Sequence, residues 1–389
     1  MNHIILKQGR EASIQRMHHW VFSGAIQDQS DGIKEGELIR ILSHKKEILG
    51  YGHYSPASIC VRLLQFGGDN FEKNFWNTRI NAALQLRQRL GLLHSDHTNA
   101  YRLIHGEGDG LPGLIIDIYN ENAVIQCHTA GMHSQINEIS AALTSVYQNK
   151  LNTVYDKSKE SLGVGLAENS FIKGETDECI IKENKNKFQV NWVTGQKTGF
   201  FIDQRDNRKL LGDYASGRSV LNLFCYSGGF SVYALNNNAR KVDSVDVSAK
   251  AMELTEANVL LNGEFGTNHM GYASDVNSFI HTIDEYDIII CDPPAFAKSL
   301  NKRHQALNGY RNLNAKVIKK VKKGGLLFTF SCSQVMDRDL FQQTILAAAF
   351  ESGRKIKIIY HLSQAPDHPI NLYHPEGSYL KGLVLYIED

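Results

Sequence analysis

From about Phe188 onward, short and nearly uninterrupted apolar runs alternate with stretches of helical character, and no other feature narrows the fold as much. The runs SVLNLFCY, KVDSVDVS, DIIICDPP and LLFTFSCS are rich in strand-forming residues, and each is followed by helix-like sequence. A strand with one wet face alternates apolar and polar residues. A run that is apolar throughout is buried on both faces, as in a parallel sheet covered by helices. KGLVLYIED supplies a final strand. Residues 188–389 therefore read as an α/β domain built on a parallel sheet.

The rest of the chain has a different rhythm. In residues 1–72 the β-rich runs IILKQ, ELIRIL, EILGYGHY and ICVRLLQF are broken by Gly, Asp and Ser, a pattern that suits a small barrel. Phe71 to Leu93 turns helical, with Phe75, Ile80, Ala83, Leu84, Arg87 and Leu90 near helical spacing. Within 73–187, AYRLIHGEGDGLPGLIIDIYNENAVIQC carries Gly-Asp-Gly and Pro-Gly turns of hairpin type. An amphipathic helix, HSQINEISAALTSVYQ, and further strands follow. The order strand, strand, helix, strand, strand describes an α+β module.

With 389 residues, 42% of them hydrophobic, there is material for two or three domains with their own cores. The net charge of +1 gives no global field, so a nucleic-acid site has to be a local patch. Six cysteines (60, 127, 179, 225, 291, 332) lack CxxC pairs, which argues against a disulfide framework and a zinc ribbon. No apolar run reaches the roughly 18 residues of a membrane span. The opening MNHIILKQGR lacks the apolar core of a signal peptide. A soluble cytoplasmic protein with reduced thiols is the expectation.

Strand SVLNLFCY runs into Ser227-Gly228-Gly229 and a helix, so backbone can approach a ligand there. The loop is not G-x-G-x-x-G, and a plain βα turn explains it equally well. The next strand ends at Asp246, which can accept both ribose hydroxyls of a nucleoside; a helix cap is the alternative, although Ser248 could fill that role. Asp275 follows the third strand, placed to accept from an adenine amino group or to cap a turn. Glycine turn, Asp and Asp on successive βα units together fit an adenosyl ligand at the sheet's carboxyl edge.

The fourth strand ends in Cys291-Asp292-Pro293-Pro294. The prolines cannot continue a ladder and fix a rigid exit that holds Asp292 over the cleft. The fifth ends at Ser331-Cys332-Ser333. If these strands are neighbours, Asp292 and Cys332 lie roughly 5–10 Å apart. A thiol and an acid on one cleft suit methylation at cytosine C5: thiolate adds to C6, the acid assists at N3, and C5 becomes nucleophilic. An inert buried thiol is the alternative for Cys332; its polar strand-end setting favours function. Alternation points Cys291 away from the cleft, and Cys225 is expected to pack. The basic run Lys316–Lys323 is read as the last turns of a helix, where lysines suit the macrodipole. His94 and His97 are too few for a metal centre, and no metal is assigned.

These motifs, taken together, resemble the bacterial 23S ribosomal RNA 5-methylcytosine methyltransferases that carry an N-terminal PUA domain. The markers are HHWVFSGAI, YRLIHGEGDGLPGLIID, GQKTGFFIDQRDNR, NLFCYSGGFSVYA, DPPAFAKS, TFSCSQVMDRD and DHPINLYHPEGSYLKG, spread over nearly the whole chain. The resemblance implies a PUA-like RNA-binding domain (1–72), a central α+β domain (73–187) and a class I Rossmann-like methyltransferase domain (188–389). It implies S-adenosylmethionine as donor and RNA as partner, with a homodimer compatible. Phe200, Asp203, Gln204 and Arg205 would close over the cofactor; Asn222, Phe224, Ser227, Gly228, Asp246 and Asp275 would line it. Cys332 would be the attacking cysteine and Asp292 its acid. Many RNA 5-methylcytosine enzymes carry a second cysteine after the prolines, and narrower relatives often carry Lys; here Ala295 stands there, so the base that removes the C5 proton is unassigned. Two other readings remain: an rRNA guanine N-methyltransferase, which needs no cysteine, and a noncatalytic RNA-binding assembly factor.

Overall fold

Six strands form the first sheet in the computed structural model: β1 His3–Leu6, β2 Trp20–Phe22, β3 Ile26–Gln29, β4 Leu38–Leu42, β5 Ile48–Tyr54 and β6 Ile59–Phe66. In β4 the period of two is plain: Ile39 and Ile41 enter a core with Ile4, Leu6, Val61 and Leu63, while Arg40 between them stays outside it. β2 and β3 escape a sequence reading because one has three residues and the other, IQDQ, has no fully buried side chain. The structure describes every residue except 94, 164 and 298, so the expectation for His94 lies outside the described residues.

The second sheet has the order β11-β10-β9-β8-β7, from β7 Ala100–His105, β8 Leu114–Tyr119, β9 Asn122–Cys127, β10 Thr153–Asp156 and β11 Ser170–Lys173. Three strands, rather than the expected two, precede the helix Ile136–Val146, because Asn120 at φ 56° turns the chain directly from β8 into β9. The helix Phe75–Arg89 places Ile80 and Ala83 in the same core as Leu103 and Ile116. Its Arg87, fully buried, forms an ion pair with Asp109 and donates to the Arg102 and Asp367 carbonyls at 2.8 and 2.7 Å. Arg102 grips Asp117 through two bonds of 2.8 Å, and Asp367 accepts from the Arg102 amide. Arg102, Asp109 and Asp117 of YRLIHGEGDGLPGLIID and Asp367 of DHP thus interlock with Arg87 in one buried polar network.

A two-stranded sheet follows, β12 Glu178–Glu183 with β13 Asn186–Asn191, turned by Asn184 and Lys185 at positive φ. The third sheet comprises β14 Ser219–Leu223, β15 Lys241–Asp246, β16 His269–Ala273, β17 Tyr286–Cys291, β18 Val321–Ser331, β19 Ile356–Leu362 and β20 Lys381–Ile387. Its order is β16-β15-β14-β17-β18-β20-β19. The first five are parallel, and β20 runs antiparallel between β18 and β19. This is the parallel α/β sheet the apolar runs predict, and its order reverses between β14 and β17, where such sheets open a crevice for ligands.

The basic run corrects one expectation. The helix ends at Ile318, and β18 already begins at Val321, which pairs with Tyr286. Val321 is fully buried, so core packing converts the tail of the lysine run into strand. Lys322 pairs with Asp287 instead of serving a helix terminus. Contacts divide the chain into two compact units: 1–181, 190–202 and 366–377 in one; 182–189, 203–365 and 378–389 in the other. No helix among the described residues is long and apolar enough to cross a membrane.

Candidate active site

The carboxyl edge of the third sheet collects most of the residues singled out from sequence. After β14 the chain kinks twice: Phe224 and Tyr226 adopt φ of 59° and 48°. Each left-handed residue costs about 1–2 kcal/mol, and such strain gathers at ligand clamps. The kink lets the Tyr226 amide donate to Asp246 Oδ2 at 3.1 Å, while the Ser248 amide donates to Oδ1 at 3.0 Å. A carboxylate offers about four acceptor positions, so Asp246, half-buried, can still receive two ribose hydroxyls. Ser248, as foreseen, is the helix cap, accepting from the Ala251 amide.

Gly228 begins the helix Gly229–Asn236 at φ 71°, and no side chain among the described residues caps that terminus. A Cβ on Gly228 would stand 2.7 Å from Thr255 Cγ2, so the tight turn admits only glycine. The first amides of a helix lack intrahelical partners and favour an anionic group such as an amino-acid carboxylate. Ser227 is buried, its carbonyl accepting from Asn258 Nδ2 at 2.9 Å. Asn222 is buried too, donating to Ser231 Oγ at 2.9 Å, and therefore supports the helix from below. Asp275 is exposed and caps the short helix Val276–Phe279 through the Ser278 amide. Uncapped helix, glycine turn and Asp246 form a donor and acceptor set that fits an adenosyl amino acid.

Asp292 leaves β17 and Cys332 leaves β18, and the two strands are parallel neighbours with Cys291 opposite Thr329. By strand geometry the two Cα atoms stand about 8 Å apart. Both side chains are partly exposed. Ser333 Oγ donates to the Ala297 carbonyl at 2.9 Å, which clasps the SCS loop to the segment after the prolines. Cys291 is fully buried in the core and Cys225 nearly so; burial pushes the Cys225 thiol up to about 12 and raises Cys291 as well. Neither is a nucleophile at neutral pH.

Several contacts were invisible in sequence. Gln204 donates from Nε2 to Asp292 Oδ2 at 2.8 Å, and Asn207 donates to Gln204 Oε1 at 2.6 Å. Gln204 thus orients the acid. Asp203 accepts from the Tyr379 hydroxyl at 2.7 Å. Arg205 is buried. Phe200 belongs to the other unit, where its amide and carbonyl both meet the Tyr119 hydroxyl. Lys381 pairs with Ser331 across the β18–β20 ladder and donates to the carbonyls of Ser333 and Tyr379, both at 2.7 Å. Burial lowers this ammonium to about 8, against the opposing pull of the Cys332 thiolate. Tyr310, buried beneath, is raised by burial and further by the charges of Cys332 and Asp292.

This sheet and carboxyl-edge site are those of an S-adenosylmethionine-dependent methyltransferase, and the family of that description matches residues 167–371. A PUA-like domain matches residues 4–66. More narrowly, the chain belongs to the family of proteins called ribosomal RNA large subunit methyltransferase I. It is 38% identical to the one from Alteromonas mediterranea over 99% of both chains, and 39% identical to that of Pseudoalteromonas atlantica over 98% of both. Among solved structures, a Streptococcus mutans chain described as a SAM-dependent methyltransferase superposes with a TM-score of 0.85 at 23% identity, covering 99% of this chain and all of that one. A methyltransferase complexed with SAH gives a TM-score of 0.86 at 23% identity over the same shares. At that identity the likeness shows the fold. The donor for this chain is S-adenosylmethionine.

Proposed function

We propose that this chain methylates C5 of a cytosine in 23S ribosomal RNA in the cytoplasm, through a covalent adduct of Cys332. The observation that carries the reading is that Asp292 and Cys332 leave the ends of neighbouring parallel strands, with the Ser333–Ala297 bond tying the loops that follow. The names of the relatives and the PUA-like match support large-subunit RNA as substrate and residues 1–72 as its reader.

In this reading Asp246, the Phe224–Ser227 kink and the helix start at Gly228 hold the donor, which supplies an electrophilic methyl group when bound. Asp203, Arg205 and Asp275 complete the proposed set. Cys332 Sγ adds to C6 of the base while Asp292, oriented by Gln204, delivers a proton to N3, so that C5 gains enamine character. Loss of the C5 proton to a base after methylation forms the C5–C6 double bond and expels the thiolate, and N3 returns its proton to the Asp292 carboxylate, which restores the neutral ring. Lys381, buried against the Cys332 loop, is a positioning residue whose ammonium favours the thiolate. Mass mapping of 23S rRNA from cells lacking the protein should reveal one missing 5-methylcytosine. The wild-type chain should restore it and Cys332→Ala should not; restoration by Cys332→Ala would favour methylation at nitrogen.

A further inference from the structure

Far along the chain from the cysteine site, His18, His374 and Glu376 meet within the first unit. Met17, at φ 63°, turns the backbone just ahead of His18, and Glu376 lies in the short helical turn Pro375–Gly377. His18 Nε2 is 3.4 Å from Glu376 Oε1, and His374 Nδ1 is 3.6 Å from Oε2. The donor atoms of all three lie within 4.8 Å of one another. Two ligands on a tetrahedral zinc ion, with bonds of about 2.0–2.1 Å, stand about 3.3–3.4 Å apart. The 3.4 and 3.6 Å separations, which run to the two different carboxylate oxygens, lie near that edge, and donor atoms up to 4.8 Å apart would close by up to about 1.5 Å around the ion.

A second observation points the same way. His374 is 2% exposed, and its Nδ1 has no hydrogen-bond partner among the described residues, since 3.6 Å to Glu376 is too long for one. Buried polar nitrogens are rarely left so. The Trp20 ring packs edge-on against His374 at 4.4 Å and fixes the imidazole plane. His18 Nδ1 accepts from the Trp20 amide at 3.2 Å and lies 3.4 Å from the Trp20 carbonyl, so Trp20 holds the imidazole from its outer side while Nε2 faces Glu376.

We propose that His18, His374 and Glu376 bind a divalent transition-metal ion, with Zn²⁺ the best fit to two imidazoles and a carboxylate. The ion would tie the 366–377 segment to the start of β2, with water in the fourth position. The spacing of these residues, more than 350 positions, leaves no sequence signature.

The test uses the full-length chain, stripped with a chelator and titrated with Zn²⁺ against a chromophoric competitor. One ion per chain should bind, and His18→Gln and Glu376→Gln, each folded by circular dichroism, should weaken it at least tenfold. Co²⁺ in place of zinc should give tetrahedral d–d bands without a thiolate charge-transfer band. Zinc affinity within twofold of wild type in both variants, or a thiolate band in the cobalt form, would overturn the proposal.

Discussion

Asp246 illustrates how one carboxylate shapes a loop and presents itself to a ligand at the same time. Both of its oxygens hold backbone amides, and both have acceptor capacity left for a ribose. Asp246→Ala should remove one or two charge-assisted bonds to the donor, each worth about 1.5–3 kcal/mol, and weaken S-adenosylmethionine binding about tenfold or more by calorimetry. An unchanged dissociation constant in a folded variant would take Asp246 out of the site. Lys381 gives a pH-dependent case. Its folded pKa lies near 8, lowered by burial from an ordinary 10.5, so the ammonium beside Cys332 is present below about pH 8 and lost above it. Below pH 8 it favours the thiolate; Lys381→Met lacks that help at every pH. Alkylation of Cys332 by iodoacetamide, followed by peptide mass spectrometry across pH, should shift its midpoint upward in Lys381→Met, slowing reaction at pH 7 about tenfold for each pK unit. Lys381→Arg should keep the wild-type midpoint. Identical profiles for Met and wild type would remove Lys381 from this role.

The helix Arg205–Ala215 is held by a buried ion pair that depends on elements distant in sequence. Arg208 Nε and Nη2 donate to Glu183 at 2.8 and 2.7 Å, and the Tyr233 hydroxyl adds a third bond to the same carboxylate at 3.0 Å. The end of β12, this helix and the helix Gly229–Asn236 are thereby locked beneath the glycine turn. Arg208→Met would leave Glu183 buried with its charge uncompensated, at a cost of about 3–5 kcal/mol. Urea unfolding should show an early loss of the second unit's helical signal. A shift below about 1 kcal/mol would mean that solvent reaches Glu183 once the arginine is gone. At this scale the lysine run is also instructive. Composition suggests a helix terminus, but Val321 is claimed by Tyr286 in the ladder, and tertiary pairing sets where β18 starts.

For the whole molecule, the parallel sheet and its carboxyl edge were legible because doubly buried strands carry continuous apolar runs, and because Asp246, Asp292 and Cys332 fall at their ends. The packing of Cys225 and Cys291 followed from alternation and setting. What stayed hidden are contacts between distant segments: Gln204 on Asp292, Lys381 on the Cys332 loop, Glu183 on Arg208, and the histidines around Glu376. Local pattern reports burial and turns, whereas these pairs are set by which loops the finished fold brings together. β2 and β3 of the first sheet were hidden for a simpler reason: one has three residues and the other has no fully buried side chain to mark a face. The central claim concerns the sulfur of Cys332, and the intact chain acting on RNA tests it directly. Target RNA carrying 5-fluorocytosine should form a covalent complex with the wild-type protein only when S-adenosylmethionine is present, because fluorine cannot leave as the C5 proton does. The adduct should map to Cys332 and vanish in Cys332→Ser, together with turnover. Methylation that persists in Cys332→Ser, or an adduct that maps to Cys291, would contradict the account.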